Sequence, residues 1–307
     1  MMVRTGPTKL CFPSCRSCCI LTGITQASVC LQLVKDEAKL SVAESEPPLH
    51  PDIMPTIFIN TGIDLEEQQY VALAVYLLFS LPSYRRRLHE AIKLGPTTDT
   101  QQAQVQEHSN LLMQHIEAWQ QIQVLFMPGM STLRNEWPEL MNWSHPPEGV
   151  PLFLPSQVTG KAACPHALSM VEFWLREGQA HDSLNDLCQG LQSHTYILKF
   201  KDQFLCGQGA NTRARNCLKS LDAKIDAAAT RYCIAYHALC ILGPLLGQVG
   251  WRDKFHLLAV EDICGLMNGY DLRPGKGRCQ VSWIWQVCGY SEQATENESD
   301  NGFQEGK

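Results

Sequence analysis

Apolar residues recur at alternating spacings of three and four over long parts of this chain, and three such stretches predict three long helices. The most regular runs through Leu218, Leu221, Ile225, Ala228, Tyr232, Ala235, Leu239 and Leu242. Unbroken alternation of this kind keeps one stripe facing a partner, as in a heptad seam. It predicts a helix over about 211–243, roughly 50 Å long at 1.5 Å per residue. Before it, Met170, Phe173, Ala180, Leu184, Leu187, Leu191, Leu198 and Leu205 hold one register, with Glu177, His194 and Lys201 as polar interruptions. The two seams meet at "CGQGAN" (206–211), where the glycines offer a C-cap and a turn and Asn211 offers an N-cap. An antiparallel hairpin follows. A third seam, Val105, His108, Leu112, His115, Trp119, Ile122 and Phe126, predicts a further helix. Its histidines are read as half-buried seam positions, because the spacing places no third metal ligand beside them. The expected fold is all-α: a long antiparallel helical hairpin or three-helix coiled-coil bundle with disordered termini.

Punctuation divides the chain. Residues 1–55 show no sustained periodicity and close on "SVAESEPPLHPDIMP", so they are expected to be disordered or non-native. A helical region is expected over 56–143, broken by an apolar insertion at 70–85. A Pro-rich linker follows at 144–164, then the hairpin with a "VSWIW" element over 165–290, and a disordered acidic tail over 291–307. Alternation of Val281, Trp283 and Trp285 suits either a short strand or an aromatic plug that anchors on the bundle.

Charge narrows the functional classes. A net charge of −6 argues against a surface that binds nucleic acid or membrane as a whole. Locally the balance reverses: 195–231 holds seven Lys or Arg against three Asp. Fourteen cysteines in 307 residues do not resemble a small disulfide scaffold, and most stand singly in helical contexts, so free thiols are expected. Arg4 and Lys9 precede "CCILTGITQASVCLQLV", which imitates a secretory signal, but Thr, Gln and Ser interrupt the apolar stretch. No run approaches the roughly 18 apolar residues of a spanning helix, so no membrane partner is expected.

Candidate chemistry is sparse. Cys11, Cys15, Cys18 and Cys19 in "CFPSCRSCC" supply four thiols, yet the adjacent pair is poor tetrahedral geometry and no second knuckle follows. Neither metal nor cofactor is expected. The chain lacks a nucleophile elbow, a phosphate loop and an H-E-x-x-H helix, so it is not expected to be an enzyme. What remains is the basic stretch around "GQGANTRARNCLKSLDAKIDAAATRY". Its cations are read first as a solvated helix face, with Lys219 and Asp222, or Lys224 and Asp226, compensating each other.

The blocks "GIDLEEQQ" (62–69), "RRLHEAIKLGPTTDTQQAQVQEHSNLLMQHIEAWQQIQVLFMPG", "PLFLPSQ" (151–157), "GQAHDSLNDLCQGLQSHTYILKFKDQFLCGQGANTRAR" and "GRCQVSWIWQV" (277–287) resemble, in order, the C-terminal region of basidiomycete Kyakuja-Dileera-Zisupton (KDZ) transposases. The resemblance covers about 55–287, and "GQGANTRAR" and "VSWIW" are its most specific strings. It implies a helical, non-catalytic region that supports assembly or DNA contact and a nuclear setting. That family's acidic metal ligands lie in a ribonuclease-H-like domain ahead of this region, so no catalytic residue carries over. Two departures stand out. Cys206 replaces an Arg that the family tends to place before "GQGANTRA", which weakens the basic patch. Residues 70–85 interrupt a string that otherwise joins Gln69 to Arg86, and are read as a translated intron or a similar gene-model artefact. The expected function is a truncated transposon-derived protein making weak, non-specific DNA contact through Lys199, Lys201, Arg213 and Arg215. The alternative is an independent coiled-coil module that engages a protein partner or a second copy of itself.

Overall fold

A computed structural model describes residues 24–43, 50, 53–80, 99–136, 147–265 and 282–288, without the side chains of 41–43, 73–80 and 101–102. Every regular element among them is helical: α1 (Gln26–Ala43), α2 (Pro55–Ser80), α3 (Asp99–Phe126), α4 (Met130–Glu136), α5 (Pro155–Val158), α6 (His166–Phe204), α7 (Gln208–Leu246) and α8 (Trp283–Val287), with single 3-10 turns between some of them. Cys11, Cys15, Cys18, Cys19 and the tail 291–307 lie outside the described residues.

The predicted hairpin is α6 and α7. Six of the eight α7 seam positions, from Ile225 to Leu242, are buried, as are Phe173, Ala180, Leu184, Leu187 and Leu191 on α6. The arms approach closely at Gly190, where a Cβ would come within 2.8 Å of Ile225 Cγ1. Toward the turn the seam loosens: Leu218 and Leu221 are half-buried and Leu198 is exposed. The turn differs from expectation in one detail. Helix α7 starts at Gln208, with Gly207 at φ +96 as its N-cap residue. Asn211 lies inside the first turn and its side chain donates to the Gly207 carbonyl at 2.9 Å, so it caps no amide. Gly207 alone tolerates the left-handed backbone that reverses the chain there.

Two apolar clusters share α6. The second sits at the hairpin base, where the 3-10 turn Gly250–Asp253 and α8 close over Tyr232, Leu239 and Leu242. The "VSWIW" segment is a short helix there rather than a strand, at least from Trp283. Trp285 is fully buried and its indole N–H donates to the Cys264 carbonyl at 3.0 Å. Burying Ile284 and Trp285 in so short a segment favours local helical hydrogen bonds over an edge that no described strand pairs. The plug expectation therefore describes the observed packing.

The first cluster gathers α1, α2, α3, α4, the 150–158 segment and the start of α6. Here three expectations are corrected. Residues 26–43, expected to be disordered or non-native, form α1 and dock against α6 and α2. Gln26 N–H donates to Asp182 at 2.8 Å, and a Cβ on Gly178 would lie 2.7 Å from the Gln26 Cα, so the glycine makes room for the α1 backbone. At the other end Glu37 accepts from the Thr56 amide at 3.1 Å and hydroxyl at 2.7 Å, capping α2.

The Pro-rich stretch 144–164 is likewise not a free linker over 147–158. Val150, Leu152, Leu154 and Val158 are buried. Its carbonyls are satisfied by two glutamines: Gln69 donates to Pro147 O and Val150 O, and Gln123 to Leu152 O and Phe153 O, at 2.7–3.0 Å. An irregular strap can be buried only when its backbone groups find such partners.

The third seam is rotated from its expected position. Leu112, Trp119 and Phe126 are buried, but Ile116 and Gln123 complete the inward face, while His108 and His115 are exposed. Helix α3 packs on α2, where Phe58 stacks between Trp119 and Phe126 at centroid distances of 4.9 and 4.8 Å. The insertion 70–85 continues α2 as helix as far as Ser80. Ala72 packs on the first cluster while Tyr70 and Val71 are exposed, and 81–85 lie outside the described residues.

Candidate nucleic-acid interface

The four predicted contact residues come together at the free end of the hairpin. Lys199 and Lys201 occupy the last turns of α6, and Arg213 and Arg215 the first two turns of α7. Measured from the turn at Leu205–Gly207, Lys199 and Arg213 stand at the same level. Lys199, Arg213 and Arg215 are exposed and Lys201 is half-buried. Residues two apart on a helix point about 200° apart, so neither pair forms a flat stripe. Taking the seam as reference, antiparallel packing puts Lys199 and Arg215 on one flank of the hairpin and Arg213 on the other.

The tip cations lack the carboxylate partners that three cations of the body have. In the body, Arg176 pairs with Glu66 and Glu172, Arg231 with Glu67 and Asp186, and Lys254 with Glu177. Among the described residues no ion pair engages Lys199, Lys201, Arg213, Arg215, Lys219 or Lys224. The expected compensation of Lys219 by Asp222 is not formed, because Asp222 instead lies 3.2 Å from His194 on the facing helix.

The tip also carries an aromatic stripe that lies outside the seam. Tyr196, Phe200 and Phe204 repeat every fourth residue on the face of α6 turned away from α7, and are 69%, 44% and 67% exposed. Phe200 and Phe204 rings lie 5.4 Å apart. The four-residue spacing is readable in the sequence, but the seam register, which follows the face turned toward α7, does not include it. Helix α7 adds its N-terminal amides at the turn, an end that favours anions. Chemically the tip offers unpaired guanidinium and ammonium groups for phosphate and flat apolar faces for stacking.

Other charged groups are absorbed by the fold. Arg176 is almost fully buried, 2.7 Å from Glu66 and 3.2 Å from Glu172, and also donates to Gln179. Glu172 further accepts from the Ser156 amide and hydroxyl, both at 2.7 Å. Burial opposes charge on Arg176, but the two carboxylates outweigh it and hold the guanidinium protonated. Burial likewise pushes the Glu172 carboxyl up, against Arg176 and Ser156. These contacts clasp α2, α5 and α6 together; sequence pattern could not reveal the whole clasp because Glu66 lies about a hundred residues before Ser156, Glu172 and Arg176. Among the described residues no three His, Cys, Asp or Glu side chains converge as metal ligands.

One described helix, α7, is long and apolar enough to cross a membrane by length and composition, more than the run-length reading of the sequence suggested. Its apolar half contributes Tyr232, Ala235, Leu239 and Leu242 to the second cluster. No family model, curated protein or solved structure matches the chain.

Proposed function

We propose that this chain is a non-enzymatic interaction protein, related to the C-terminal helical region of KDZ transposases, whose hairpin tip makes weak, sequence-independent contact with DNA phosphates in a nuclear setting. The observation that carries the reading is the gathering of Lys199, Lys201, Arg213 and Arg215 at the tip with no ion pair among the described residues, whereas Arg176, Arg231 and Lys254 of the body are paired. Exposed cations without intramolecular partners release no protein contact when they meet phosphate, so counterion release drives binding. Tyr196 and Phe204 beside them add flat surface that tolerates any base.

The test uses the full chain with a duplex of arbitrary sequence at several salt concentrations. The expected affinity falls steeply with salt, and Arg213→Ala/Arg215→Ala lowers the slope of log K against log salt by about 2, roughly 0.9 per lost phosphate contact. Equal binding by parent and double variant, or no binding at low salt, overturns this reading. The exposed aromatic stripe favours a second one, a coiled-coil module that associates with another copy. That reading predicts concentration-dependent oligomers in sedimentation that Phe204→Ser reduces.

A further inference from the structure

The base of the hairpin holds a pair of thiols that no function described above uses. Cys188, on the inward face of α6, is buried, and Cys288, at the C-terminal end of α8, is half-buried. They are 100 positions apart in the sequence, yet their sulfurs lie 2.9 Å from each other. Each also touches the other's helix: Cys288 Sγ approaches the Leu184 carbonyl at 3.5 Å and Cys188 Sγ the Ile284 carbonyl at 3.8 Å. The side chains are thus already directed at each other across the joint that seats the tryptophan plug, and a covalent bond requires the sulfurs to close by about 0.9 Å.

We infer that Cys188 and Cys288 form a reversible redox staple, a disulfide that locks α8 onto the hairpin base when a peroxide-class oxidant is present. Cys288 is the accessible member and attacks first. Its thiolate sulfur bonds to one peroxide oxygen, the O–O bond breaks, and water leaves after protonation. The resulting sulfenic acid is attacked by the Cys188 sulfur, which forms the S–S bond and releases the second water. Two thiols and one hydrogen peroxide become one disulfide and two waters, with two electrons passing from sulfur to oxygen. The hydrogen bond between the sulfurs suits this order: once Cys288 has lost its proton, the Cys188 S–H is left to donate to it, which draws Cys288 below the usual thiol range and pushes Cys188 above it. In the reduced state α8 is held by burial of Ile284 and Trp285; in the oxidised state it is also tied covalently across a long loop, which narrows the unfolded ensemble.

The experiment titrates the reduced full chain with hydrogen peroxide, blocks remaining thiols under denaturing conditions, and maps tryptic peptides by mass spectrometry without reductant. Cys279 falls in the same tryptic peptide as Cys288, so Cys279→Ser is examined in parallel. The expected result is a dithiothreitol-sensitive link between the Cys188 and Cys288 peptides, appearing first among all cysteine pairs, retained in Cys279→Ser, and accompanied by a higher urea midpoint. Oxidation of Cys288 to sulfinic acid without the link, loss of the link in Cys279→Ser, or earlier linkage of either thiol to a different cysteine overturns the inference.

Discussion

Two buried side chains show how much single residues contribute here. Arg176 joins Glu66 on α2 to Glu172 on its own helix, and the latter also holds the start of α5 through Ser156. Arg176→Met leaves two carboxylates buried without their cation. It should destabilise the protein by about 3–5 kcal/mol in urea unfolding, and adding Glu66→Gln should recover part of the loss. A midpoint unchanged by Arg176→Met would show that the clasp contributes nothing. His181 is the second case. Its ring packs on Phe255 at 4.8 Å; burial, and then Lys254 beside it, depress its pKa from 6.5 to about 4. The folded state therefore binds fewer protons than the unfolded state between these values. Stability from this residue is fully present above about pH 6.5 and is lost as pH falls toward 4. Burial raises the carboxyls of Glu37, Asp64 and Asp182, which act in the opposite direction at lower pH. A comparison with His181→Asn isolates the histidine. Between pH 7 and 5 the parent should lose on the order of 1–2 kcal/mol more than the variant, and parallel pH profiles would contradict the assignment.

At the scale of elements, glycines and the burial gradient along the hairpin decide what each helix can do. Gly178 lets the α1 backbone lie directly on α6, and the nearest atoms to an added Cβ are backbone atoms of Thr25 and Gln26, which cannot rotate away. Gly178→Ala should therefore lift the start of α1, cost about 1–3 kcal/mol, and expose 26–43 to protease; intact protection would refute the close-approach argument. The same docking means that removing the first fifty residues takes away α1 and its helical signal, contrary to the expectation that residues 1–55 are disordered or non-native. Along the hairpin, truncation should matter by position. Ile225→Ala, at the buried closest approach to Gly190, should cost about 2–5 kcal/mol. Leu198→Ala, exposed near the tip, should cost less than about 1 kcal/mol, and half-buried Leu221 should fall between. Equal losses at Ile225 and Leu198 would mean that the seam is packed to its end.

At the scale of the molecule, α6 ties two apolar clusters into one unit. Leu168, Val171 and Leu175 face the first cluster, and Phe173, Ala180, Leu184 and Leu187 the second, with Trp174 against both. Neither cluster can open without exposing part of a helix that the other needs. Hydrogen exchange should thus report similar opening free energies for buried amides of α3 near 116–123 and of α7 near 232–239. The tip around 199–215, outside both clusters, should exchange sooner. Widely separated values for the two clusters would make them independent folding units. The tip lies outside both clusters, so a contact made there would leave them undisturbed.

How much of this was legible in the sequence depends on the range of the forces involved. Periodicity determined the all-α class, the two hairpin arms and the turn at Gly207, because burial of one face of a helix requires apolar residues at fixed local intervals. It also placed Lys199, Lys201, Arg213 and Arg215 at one end of the hairpin, since connectivity alone brings residues near a turn together. The register of α3 was legible only in part, because Gln123 faces inward to serve the carbonyls of a strap that no local pattern announces. The docking of α1, the burial of 147–158, the Arg176 clasp and the meeting of Cys188 with Cys288 were decided by the tertiary structure. Each satisfies a polar group or fills a space that exists only once segments distant in the chain have packed, and no spacing along the chain carries that information.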